Sequence, residues 1–78
     1  MSDIVRRVIG EDATAIQASD LTYKNLGDLI AVETNAAIYI GSVYSVSLFP
    51  NNVYITVERD GTEAKPIVRP DHTVYLAH

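Results

Sequence analysis

Apolar and polar residues alternate between Ile38 and Arg59, and the alternation breaks once, at Pro50-Asn51-Asn52. In the first arm the even positions carry Ile38, Ile40, Ser42, Tyr44, Val46 and Leu48. In the second arm the odd positions carry Val53, Ile55 and Val57. A period of two is the mark of a strand, because successive side chains point to opposite faces of a sheet. A two-residue turn at Asn51-Asn52 pairs Leu48 with Ile55 and Val46 with Val57, and sets these four side chains in the core. Ser47/Thr56 and Ser45/Glu58 then share the other face. A one-residue slip would send one apolar row to solvent, so pattern and turn chemistry point to one register.

The flanking segments read as shorter strands. Thr14, Ile16 and Ala18 alternate weakly within residues 13–18, and Leu29-Ile30-Ala31-Val32 is a near-continuous apolar run that reads as a buried strand. Asp60-Gly61 predicts a type I′ turn, with Val57 opposite Ala64, Val53 opposite Val68 and Glu58 opposite Glu63. Pro66 cannot donate to a ladder, so the returning strand is an edge or is broken there. Arg69-Pro70-Asp71-His72 reads as a turn, and Thr73-Val74-Tyr75-Leu76 as a last strand. Leu21–Leu26 is too short for a stable helix and reads as one helical turn or a loop.

Residues 2–9 admit two readings. Ser2 can cap a short helix ending at Gly10, with Ile4, Val5, Val8 and Ile9 on one side. The share of β-branched residues and the short length favour an extended segment. The expected fold is all-β: a small barrel or partly open roll of five to six short strands with at most one short helical turn. Its 78 residues form a single domain, with residues 1–12 as a peripheral N-terminal segment.

The order of parts resembles SH3 domains. Asp20-Leu21-Thr22-Tyr23-Lys24-Asn25-Leu26-Gly27-Asp28-Leu29-Ile30-Ala31-Val32 is similar to the SH3 stretch in which an acidic-Leu-Ser-Phe run leads to Gly-Asp and a buried strand. A distal hairpin follows in both. Ile67-Val68-Arg69-Pro70-Asp71-His72-Thr73-Val74 is similar to the SH3 turn before the last strand. The likeness covers about residues 20–76 and implies an SH3-like barrel. Proline-peptide binding is not implied, because the Ala-Leu-Tyr-Asp-Tyr segment and the Trp of the third strand are both missing. In style the chain also resembles small proteins of unassigned role encoded by phages of actinobacteria, which implies an accessory protein in the host cytoplasm.

Composition narrows the chemistry. There is no cysteine, hence no disulfide framework and no thiolate metal site. A domain this small without such staples, starting without signal-peptide regions and lacking a long apolar run, is expected to be cytoplasmic and not in a membrane. The formal charge is −4, and Arg6, Arg7, Lys24, Arg59, Lys65 and Arg69 are scattered. That argues against a nucleic-acid partner, which needs clustered basic residues.

His72 beside Asp71 lacks a nucleophile and reads as a turn pair with an exposed imidazole; His78 is terminal. No loop has zinc, calcium or phosphate spacing, so neither a cofactor, a metal nor a small-molecule substrate is expected, and the chain reads as no enzyme. The aromatic residues carry the candidate site. In the expected register Tyr39, Phe49 and Tyr54 share the face opposite the Val/Ile/Leu row, with Phe49 paired to Tyr54. Either the N-terminal segment covers this face and the rings are core, or they are exposed, and exposed aromatics mark interface centres because they bury much area for little lost entropy. The expected function is a protein-interaction module that binds a protein partner or itself. With Ser47 and Thr56 beside Phe49, a small nucleic-acid-binding barrel is the alternative.

Overall fold

The computed structural model describes every residue, Met1–His78. It is mostly β, with seven strands in one open antiparallel sheet: β1 (Thr14–Gln17), β2 (Leu29–Glu33), β3 (Ile38–Leu48), β4 (Val53–Arg59), β5 (Thr62–Ala64), β6 (Ile67–Val68) and β7 (Thr73–Leu76). The strand order is β1-β7-β2-β3-β4-β5, and β6 also pairs with β4. β5 and β6 are the single returning strand expected from the pattern, interrupted at Lys65-Pro66. The Pro66 carbonyl still accepts from the Ile55 N–H at 3.1 Å, so the break costs β4 no partner there.

The Asp60-Gly61 turn forms as its chemistry dictates. Both residues have positive φ, at 54° and 80°. That is the type I′ requirement, and it sets Arg59 opposite Thr62, Val57 opposite Ala64 and Val53 opposite Val68. Glu58 and Glu63 do face one another, a like-charged pair tolerated on an open, exposed face.

The central hairpin departs from the expected register by two residues. Leu48 pairs with Val53 and Val46 with Ile55, while Ser47 faces Tyr54 and Ser45 faces Thr56. The chain reverses over Pro50-Asn51 instead of Asn51-Asn52, and the Phe49 N–H donates to the Asn52 carbonyl at 2.9 Å. Proline supplies the cause, since its fixed φ favours the first central position of a turn. Neither Asn adopts positive φ, so the primed turn expected there does not form. Because the shift is even, Val46, Val53 and Ile55 keep the same face.

A β-bulge between Val43 and Ser45 makes the second departure. One extra residue, Tyr44, reverses the in–out alternation midway along β3. Val43 therefore faces the core with Val57, while Ile38 and Ile40 turn to the opposite side of the sheet. Of the four residues expected inside, Ile55 and Val57 are buried and Val46 is half-buried. Leu48, at the tip, is 53% exposed. Just before the bulge, Gly41 lets β4 come close. A Cβ there would lie 2.6 Å from the Glu58 carbonyl oxygen, so only glycine fits without moving β4.

Residues 2–9 are helical, which overturns the extended reading. Helix α1 (Asp3–Ile9) is capped by the Ser2 side chain, which accepts from the Val5 N–H at 3.3 Å, and it stops at Gly10, whose N–H returns to the Arg6 carbonyl. Asp3 lies in the first turn and Arg6 and Arg7 in the last, complementing the helix dipole. Burial completes the preference. Val5 and Ile9, one helical turn apart, pack with Ala31 of β2, and Leu29, Ile38, Ile40 and Tyr75 border them.

The sheet thus encloses apolar side chains on both sides of β2. Ile30 and Val32 point into the main core with Val43, Val53, Ile55, Val57, Val68 and Val74, closed at one end by Ala18 and Leu21. Leu29 and Ala31 point to α1. This double covering is why Leu29–Val32 reads as a continuous apolar run.

Candidate interaction surface

Two single turns of 3₁₀ helix, Ala18–Asp20 and Tyr23–Asn25, carry the chain from β1 to β2. Each is fixed by its own side chains. The Asp20 carboxylate accepts from the Gln17 N–H, the Asn25 side-chain oxygen from the Thr22 N–H, and the Thr22 hydroxyl from the Lys24 N–H. Leu21 between the turns is fully buried and anchors them to the core. Tyr23 and Leu26 are left projecting, 78% and 50% exposed. The Gly27 N–H then donates to the Val43 carbonyl at 2.8 Å, and the Val43 N–H to Asp28 at 2.9 Å. These two bonds draw the segment against β3 at the bulge.

The result is an apolar groove of about 270 Å³ between this segment and the far half of β3. Leu21, Tyr23, Leu26, Tyr44, Val46 and Leu48 line it, with Thr22 and Ser45 as its only other side chains. No lining residue is charged.

The aromatic pair lies on the opposite face of the same hairpin. The Phe49 and Tyr54 rings meet edge to face, 5.3 Å between centroids and 73° between planes. They touch although Tyr54 is paired in the ladder with Ser47 and not with Phe49. Both are about half exposed, and the cross-strand partner of Tyr54 on its other side is Ile67, also exposed. Tyr39, the third aromatic expected on this face, does not belong to it. It lies before the bulge, opposite Val32, and packs half-buried against the main core. The groove has no counterpart in the sequence pattern, which places Leu48 inside and gives residues 21–26 as one helical turn or a loop, of which the turn forms at Tyr23–Asn25. No local signal marks the groove, since it is made by a bulge and by a segment some twenty residues away.

The two histidines are engaged elsewhere. His72 is half-buried, not exposed as the turn reading had it, and its Nε2–H donates to the Glu33 carbonyl at 2.7 Å. Asp71 turns to Arg69, 3.7 Å away. His78 Nε2 lies 3.1 Å from the Thr14 hydroxyl. No three His, Asp or Glu residues gather where they could hold a metal ion, and no helix is long and apolar enough to cross a membrane. Among known proteins, no family model, curated protein or solved structure matches the chain.

Proposed function

We propose that the chain is a non-enzymatic protein-interaction module, binding another protein or a further copy of itself through the surface around the β3–β4 hairpin. One observation carries this reading. An otherwise charged chain holds no charged residue between Glu33 and Glu58, and that stretch presents both an apolar groove and an exposed aromatic pair. Uncharged surface with aromatic anchors is the composition that interface centres share. An accessory role, on a host protein or on itself, is also what the likeness to small phage-encoded proteins implies.

Tyr54→Ser tests the reading. Tyr54 is half exposed and lies on the face away from the main core, so the variant is expected to keep the thermal midpoint within a few degrees while weakening association or partner capture. Thermal unfolding, light scattering and pull-down from a host lysate measure the two effects separately. Should Tyr54→Ser unfold the domain, the ring is part of the fold and not of an interface.

A further inference from the structure

The backbone of β3 carries information beyond its side chains. In an antiparallel pair, residues alternate between those whose N–H and C=O point at the partner strand and those whose groups point away. The Phe49–Asn52 bond fixes the phase. Ser47 faces Tyr54 with its polar groups inward, while those of Val46 and Leu48 point away from β4. The Ile55 N–H, opposite Val46, also points outward, to Pro66, which confirms the phase.

On the outward side of Val46 and Leu48 there is no strand. β2 ends at the pairing of Leu29 with Ser42, and the Gly27 and Asp28 bonds reach only Val43. The tip of β3 is therefore a further free sheet edge, lying along the apolar groove.

The other free edges are protected in the ways natural sheets protect them. β5 carries Glu63 and is parted from β6 by Lys65-Pro66, and β1 is four residues long, with Asp12 and Asp20 nearby in sequence. The β3 edge has none of these devices. Its stretch Ser45-Val46-Ser47-Leu48 is self-complementary when run against a second copy. With Ser47 on a two-fold axis, Val46 of each chain faces Leu48 of the other. The outward N–H and C=O groups of both residues then meet their counterparts. The apolar side chains fall on one face and the serines on the other.

We propose that this edge pairs antiparallel with the same edge of a second copy, making one continuous sheet across a two-fold interface that covers the exposed Leu48 and the groove beside it. A second copy is the occupant the charges favour: the chain is acidic overall, yet two such edges meet without bringing any charge into contact. The proposal rests on the interaction-module reading and names its partner.

Two variants test it. Leu48→Pro removes an N–H that β4 does not use, so the fold is expected to persist by circular dichroism while the light-scattering mass falls from dimer to monomer. Ser47→Cys places single cysteines in a chain that has none. Facing residues of this pair type lie about 4.5 Å apart at Cα, within disulfide reach. Under mild oxidation Ser47→Cys is expected to crosslink nearly completely, and the exposed Thr62→Cys control only slowly. A wild-type monomer at millimolar concentration overturns the pairing. So does a dimer that survives Leu48→Pro, or Ser47→Cys crosslinking no faster than the control. A monomer that binds a different protein, and loses it in Tyr54→Ser, sinks the self-pairing and leaves the interaction module standing.

Discussion

Leu48 and Ile55 show how a two-residue change of register decides the energetics of a hairpin. Both occupy apolar positions of the alternating pattern, and the pattern alone gives them equal weight. The observed register places Ile55 1% exposed in the middle of the core, and Leu48 at the tip with half its surface in water. Truncating a buried Ile leaves a cavity as well as a lost transfer energy, so Ile55→Ala is expected to cost about 2–5 kcal/mol. Leu48→Ala removes side chain that water already reaches, and its cost is expected to be a minor fraction of that. Denaturant melts of both variants decide the matter. Equal losses would mean that Leu48 is core and that the hairpin turns at Asn51-Asn52 after all.

At the scale of elements, strands were legible wherever one rule fixed them. Asp60-Gly61 predicted its turn and three cross-strand pairs, and Leu29–Val32 announced a buried strand, which the structure covers on both faces. Two things were not legible. The bulge at Tyr44 leaves no trace in an alternating sequence, yet it reassigns the faces of Tyr39 and Val43 and opens the groove. Phe49 and Tyr54 still meet, because hairpin neighbours remain near each other under a small register shift. Tyr39, on the far side of the bulge, does not join them.

Helix α1 failed for a different reason. Its β-branched residues lower intrinsic propensity by only tenths of a kcal/mol each, and caps together with tertiary burial override that. It follows that the helix depends on its cap and its buried face. Ser2→Ala is expected to destabilise the domain by about 1 kcal/mol, and Val5→Ala by more, since Val5 is fully buried against β2. Hydrogen exchange of the residue 5–9 amides would report the loosening. Unchanged protection in Val5→Ala would show that α1 is held by something other than this contact.

At the scale of the whole molecule, the question is whether the aromatic face could stack bases. Phe49 and Tyr54 with Ser47 and Thr56 offer a platform of the right residue types. Single-stranded nucleic acid binding needs a second component, a positive groove that tracks the phosphates. The structure gives the platform two cations beside it and not a basic border: Lys65 and Arg69 lie two residues to either side of Ile67, the cross-strand neighbour of Tyr54, and the other four lie elsewhere. Arg6 and Arg7 lie on α1, Lys24 on the second 3₁₀ turn, and Arg59 at the end of β4 between Glu58 and Asp60. Arg6 stands 3.5 Å from Asp3 and Arg69 3.7 Å from Asp71, so each has a carboxylate at hand. No cation falls between Glu33 and Glu58, the stretch that holds the platform. With a formal charge of −4 behind it, the approach of a polyanion is unfavourable at any distance within the roughly 8 Å Debye length of physiological salt. The chain is therefore expected to bind neither DNA nor RNA oligonucleotides in fluorescence anisotropy at about 150 mM salt. Micromolar binding that weakens steeply with added salt, and is lost in Phe49→Ala, would reverse the assignment and make the hairpin a nucleic-acid surface.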